Sequence, residues 1–302
     1  MELRQLEYFV AVAEEANFTR AAERVHISQS GVSAQIRQLE GQLGAELIDR
    51  SGRTATLTSA GRAALTPARA ALASAEAVRR AVDEVTGVVR GRLTVGMVTA
   101  CTVTPLFDAL ADFHRAHPTI ELSLVEDNSD VLVDRIRDGR LDLALVGLAG
   151  QVPDDLASRI VIRERLSAVV PSGHPLAGRR RIALAELVTH PTICLPRGTG
   201  VRAVFDRDCE AQGLHANLTL QASAPDAVVD LAGRGLGVAV LTDTMASFYR
   251  DRMEILPITG IRTPALLALV WRRMPNAALD RLLEHAGRAF APGAASAPRS
   301  IR

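Results

Sequence analysis

Over the first 60 positions apolar residues recur at helical spacing: Leu3, Leu6, Val10 and Ala13, then Ala21, Ala22 and Val25, then Val32, Ile36, Leu39 and Leu43. Asn17 is placed to cap a short helix over 18–25. After the tight turn His26-Ile27-Ser28, Ser28 is placed to cap another from Gln29 to about Leu43. Two short helices joined by a three-residue turn read as helix-turn-helix. Beyond them, 47–50 and 54–58 read as short strands around the glycine turn Ser51-Gly52-Arg53, which makes a wing.

On the second helix Val32, Ile36 and Leu39 face inward, so Ser30, Ser33, Ala34 and Arg37 face outward with Gln29 in the first turn. Small side chains and one arginine let a helix enter a major groove. Gln29 can pair twice with an adenine edge, and Ser30 and Ser33 suit phosphate oxygens or base edges. Arg50 and Arg53, at the wing, are expected over phosphates or in a narrow minor groove. Over 58–85 a stripe of Leu65, Ala68, Leu72, Ala75, Val78, Val82 and Val85 predicts one long helix, bent at Pro67, whose apolar seam pairs with a second copy of the chain.

The texture changes near residue 90. Short β-branched runs at 93–98, 120–125, 142–146, 168–170, 192–195, 218–221, 238–241 and 266–271 alternate with helical stretches, which predicts a parallel sheet with crossover helices. The last residues, rich in Pro, Ala and Ser, read as a disordered tail over 293–302.

Charge narrows the partners. The 302 residues carry a net charge of +1, with 3% aromatics and arginine as the sole basic residue besides histidine. That excludes a uniformly basic coat for nucleic acid and weakens base stacking as a binding mode. Residues 1–62 hold seven arginines against eight acids, so tight DNA binding should depend on dimerisation. Three scattered cysteines make no disulfide framework. With neither an export signal nor a spanning helix legible, the expectation is a cytoplasmic protein without a membrane partner. No dinucleotide fingerprint, P-loop or metal-ligand histidine spacing is legible, so neither catalytic residues nor a metal or other cofactor are expected.

The stretch LRQLEYFVAVAEEANFTRAAERVHISQSGVSAQIRQLEGQLGAELIDRSGRTATLTSAG, residues 3–61, resembles the N-terminus of LysR-type transcriptional regulators. The rest of the chain matches that family in layout. The resemblance implies a mainly α winged helix-turn-helix over 1–58 and a dimerising linker helix over 59–88. It also implies a two-lobed α/β effector domain over 91–292, similar to type 2 periplasmic binding proteins, in an assembly that is usually a tetramer. One lobe would span about 91–163 and 265–292, the other about 164–264, with crossings near 162–166 and 261–265. Gln29, Ser30, Ser33 and Arg53 fall where the family touches DNA. Ser30, Gly31 and Ala34 depart from its usual proline, alanine and arginine, and the missing arginine shifts or weakens operator preference.

In such a domain ligands bind beyond the carboxyl ends of strands. Thr99, Cys101 and Thr102 follow one strand, and Thr199 and Arg202 sit at a helix start after another, with Asn128 and Ser223 in neighbouring loops. Helix N-termini converging on a cleft suit a small effector such as a carboxylate. The expected partners are thus an operator duplex, an effector and further copies of the chain, with RNA polymerase as a partner such a regulator can take. Two alternatives stay open: a thiol-based redox sensor using Cys194 and Cys209, and a solute-binding protein without DNA function.

Overall fold

Phe9, Val32, Ile36 and Leu39 are fully buried where three helices meet: α1 (Leu3–Glu15), α2 (Phe18–Arg24) and α3 (Gln29–Leu43). The computed structural model describes residues 1–52, 54–85, 91–101, 103–273 and 277–291. Arg53, Thr102, the linker end at 86–88 and the tail at 293–302 lie outside the described residues. The chain divides into two compact units, Met1–Val88 and Val89–Arg302.

In the first unit Asn17 Oδ1 accepts from the Thr19 and Arg20 amides at 2.8 and 3.2 Å, and Ser28 Oγ accepts from the Gly31 amide at 3.1 Å, so both caps form. Strands β1 (Ile48–Asp49) and β2 (Thr56–Leu57) pair antiparallel as the wing. α4 (Ser59–Val85) follows as one helix with Pro67 inside it. Gly61 brings it in: a Cβ there would stand 2.0 Å from the Leu47 carbonyl oxygen, so only glycine fits.

The seam of α4 is divided. Ala68 is buried in the core of its own unit, and Leu65 and Leu72 pack against that core, whereas Val78 is 66% exposed. The side chains of Val82 and Val85 lie outside the described part. Glu14 on α1 ties the assembly together, receiving Arg24 of α2 at 2.7 Å and Arg69 of α4 at 2.7 Å.

The second unit runs β3 (Gly91–Val98), α5 (Thr104–Ala116), β4 (Ile120–Asp127), α6 (Ser129–Arg137), β5 (Leu143–Ala149) and β6 (Ala157–Glu164). It continues with β7 (Leu166–Val170), β8 (Ile182–Ala183), α7 (Leu184–Leu187), β9 (Thr192–Cys194), α8 (Gly200–Ala211) and β10 (Leu218–Gln221). α9 (Pro225–Gly233), β11 (Val238–Thr242), α10 (Asp243–Ser247), β12 (Glu254–Thr259), β13 (Ala265–Trp271) and α11 (Ala277–Ala289) complete it. One sheet has the order β4-β3-β5-β13-β6, the other β10-β9-β11-β7-β12-β8.

Both sheets are mixed, which corrects the expected parallel sheet. β13 is antiparallel to β5 and β6, and β7 is antiparallel to β11 and β12. Strands β6 and β12 escape the sequence reading because Arg159 and Arg163 interrupt the apolar run of the first and Pro257 sits in the second. Phe113, Leu106 and Leu282 fill one face of the first sheet, and Leu132 and Ile136 the other. Phe205, Val204 and Ile193 anchor the core of the second. The chain crosses between sheets at Arg165 and again between β12 and β13. The buried Asp208 of α8 grips this second crossing, accepting from the Arg262 and Thr263 amides at 2.8 and 3.1 Å.

Candidate nucleic-acid interface and ligand cleft

The α3 face expected to meet DNA is open. Gln29, Ser30, Ala34 and Arg37 are exposed and Ser33 is half-buried, opposite the buried Val32, Ile36 and Leu39. Ser30 Oγ lies 3.2 Å from the capping Ser28 Oγ, and Arg37 Nε donates to the Ser33 carbonyl at 3.3 Å. Buried Gln5 on α1 donates to Gln35 Oε1 at 3.3 Å, which fixes the rotation of α3 against α1.

Arg50 is placed differently from the expectation of an arm reaching phosphates. Its Nη2 donates to Glu40 Oε2 at 2.6 Å and its guanidinium lies 5.7 Å from the Phe18 ring centre. Glu40 is 7% exposed and its Oε1 also accepts from the Leu47 and Ile48 amides at 2.9 and 3.1 Å. A buried carboxylate with three donors welds the root of the wing to the end of α3, and Arg50 neutralises it. Sequence reasoning passed over Glu40, although an acid one helical turn beyond Ile36 and next to Leu39 falls on the inward stripe of the helix.

In the second unit a cavity of about 440 Å³ is lined by residues of both sheets. Thr99, Cys101, Asn128, Thr199 and Ser223 all line it. Arg202 does not: it is 4% exposed, with Nε donating to Asp206 Oδ1 at 2.7 Å and Nη1 to Gln221 Oε1 at 3.2 Å, so its charge is spent inside the protein. Thr199 Oγ1 donates to the Pro196 carbonyl at 2.8 Å and accepts from the Arg202 amide at 3.4 Å, capping α8.

The cavity also receives residues the sequence reading did not single out, among them Asp127, Glu164, Asp226, Thr244 and Tyr249. Glu164 ends the unread strand β6, and its Oε2 accepts from the Thr244 amide at 2.7 Å. The Tyr249 hydroxyl donates to Asp226 Oδ1 at 2.6 Å, and burial together with this carboxylate raises the phenol above its ordinary range. A signal existed for Thr244: it follows β11 at a helix start, the same strand-to-helix logic that selected Thr199.

All three cysteines are free thiols. Burial pushes Cys194 up to about 12, and burial with Asp206 and Asp208 pushes Cys209 up to about 11. Both are therefore protonated at neutral pH and poor nucleophiles. Cys101 is raised as well, chiefly by burial. Among the described residues no cluster of His, Cys, Asp and Glu is placed to hold a metal, and no helix is long and apolar enough to cross a membrane.

Comparison with known proteins gives matches along nearly the whole chain. Residues 3–62 match the family model for the bacterial regulatory helix-turn-helix protein, lysR family, and residues 86–291 match the LysR substrate binding domain. The HTH-type transcriptional regulator ShiR of Corynebacterium glutamicum is 33% identical over 278 residues, covering 90% of this chain and 93% of its own. A full-length OxyR variant from Pseudomonas aeruginosa superposes with a TM-score of 0.70 at 25% identity, covering 95% of this chain and 97% of that one. Full-length CbnR in complex with its target DNA superposes with a TM-score of 0.52 at 25% identity, covering 96% and 100%.

Proposed function

Because this chain belongs to the LysR family of DNA-binding transcription regulators, we propose that it reads a two-part operator under the control of a small molecule held in the cleft of its second unit. The observation that carries the reading is the cavity of about 440 Å³ shared by two sheets in a chain that also presents an open recognition face on α3. Gln29 addresses a base edge, Ser30 and Ser33 address phosphates or edges, and Arg37 and Arg53 supply charge toward the backbone. Arg50 acts by holding the wing. Thr99, Cys101, Asn128 and Ser223 contact the effector, and Thr102 is a further contact.

The exposed far end of the α4 seam, marked by Val78, pairs with a second copy, and two such dimers form the tetramer. The assembly works in the cytoplasm, where RNA polymerase is a further partner. An effector shifts the lobes only by its differential affinity for their arrangements, and that shift reaches DNA through the geometry of the oligomer. A gel-shift titration on DNA from upstream of its own coding region, at several salt concentrations, tests the reading. Specific retardation weakened by Gln29→Ala and Arg53→Ala is expected. Failure to select any specific duplex from genomic fragments overturns it.

A further inference from the structure

The charge of the cleft identifies the class of molecule it takes, on the reading that the cleft is the effector site. Among the described residues, Asp127, Glu164, Asp226 and Asp251 line it against one guanidinium, Arg252. That arginine is shared: its Nη1 donates to Asp230 at 3.0 Å, its charge lies 5.2 Å from the Tyr249 ring centre, and its side chain is 50% exposed. Arg202, the cation expected at the cleft, is buried on Asp206 outside the lining. Arg135, also outside the lining, is paired with Asp127 at 2.7 Å, so the charge left to the cleft rests on Glu164, Asp226 and Asp251.

At three helix starts around the cleft, where anions are otherwise attracted, the chain places a carboxylate of its own, and at a further one, that of α8, the Thr199 hydroxyl is the cap. Glu164 takes the Thr244 amide of α10, Asp127 takes the Asn128 amide ahead of α6, and Asp226 sits in the first turn of α9. Glu164 Oε1 and Asp226 Oδ2 accept nothing from the described residues, which leaves two charged acceptors available to a ligand. Between them the walls are apolar, with Val98, Leu195, Met245 and Leu266. A carboxylate entering this space meets three like charges and one cation, Arg252, that already shares its charge with Asp230. A cation meets two charge-assisted acceptors and an apolar bed.

We propose that the cleft selects a small, largely apolar molecule bearing a cationic group such as an ammonium or amidinium, and rejects carboxylates. Calorimetry of the full chain with benzylammonium and with benzoate, which share a ring and differ in charge, tests this. Benzylammonium should bind at millimolar concentration or below, benzoate should not, and the Glu164→Gln/Asp226→Asn variant should weaken benzylammonium about tenfold. Both substitutions keep the acceptor oxygens that Thr244 and Tyr249 use, and an unchanged melting temperature confirms that the variant is folded. Preference for benzoate, or no heat with benzylammonium, overturns the assignment of class. Ser223→Trp, which fills the cleft from a lining position, separates the two readings. If benzylammonium binding is unaltered by it, the cleft itself is not the site. If that variant abolishes binding while benzoate is the preferred probe, the cleft stands and the cationic class falls.

Discussion

Gly200, the first residue of α8, lies so close to Gly147 of β5 that a Cβ on Gly200 would stand 2.4 Å from the Gly147 carbonyl carbon and 2.7 Å from the Leu148 amide nitrogen. β5 and α8 touch here backbone to backbone, beside the cleft that both residues line. Gly200→Ala must push β5 and α8 apart and should cost about 1–3 kcal/mol, as overpacking does. A thermal melt of the full chain should show the destabilisation, and an unshifted melting temperature would refute the close approach.

Arg50 and Glu40 separate two roles by salt dependence. Removing an arginine that pairs with a phosphate reduces the slope of log affinity against log salt by about one per copy. Arg50→Ala should leave that slope unchanged while destabilising the first unit by about 3 kcal/mol, because it strands the charge of Glu40. Denaturant unfolding and DNA titrations at several salt concentrations read both quantities.

Leu72 and Val78 stand on the same stripe of α4 and should fail differently. Leu72→Glu disturbs the core of its own unit and should lower stability even in dilute protein. Val78→Glu touches only the exposed end and should shift the sedimentation profile toward smaller species with the melting of the first unit preserved. Reduced stability in both, or altered assembly in neither, argues against a divided seam.

Glu14 makes the first unit sensitive to acid. Burial tends to raise its carboxyl, but Arg69 and Arg24 outweigh that and hold it below the ordinary value of 4.5. A depressed folded-state value contributes stability above the unfolded one, and this stability is lost as pH falls through the folded value. Glu14→Gln should therefore cost about 1–2 kcal/mol near neutrality and progressively less as pH falls below the ordinary value of 4.5. Parallel pH-dependent melts of the two proteins would show convergence in acid.

Helices with explicit caps were the most legible part of the chain. Asn17, Ser28 and the three-residue turn between them specify α2 and α3 locally, so periodicity and capping agree. Strands β6 and β12 were not legible because their identity comes from antiparallel neighbours distant in sequence. The cleft followed the same division. Thr99, Asn128, Thr199 and Ser223 belong to loops after strands that could be read, whereas Glu164 sits on one that could not. Arg50 and Arg202 were visible as charges, but their burial partners Glu40 and Asp206 emerge only from packing.

The bonding of α4 to α1 turns a linker into a lever. Twenty-seven residues of helix extend about 40 Å, comparable to the spacing of about 34 Å between successive operator half-sites. Ala68 in the core and Arg69 on Glu14 leave the near end of that arm no independent rotation. A tilt of about 5° imposed at one end thus sweeps the other through roughly 3 Å over such a length. That displacement is about one base-pair step, so on the proposed reading a small angular change moves α3 out of register with a groove.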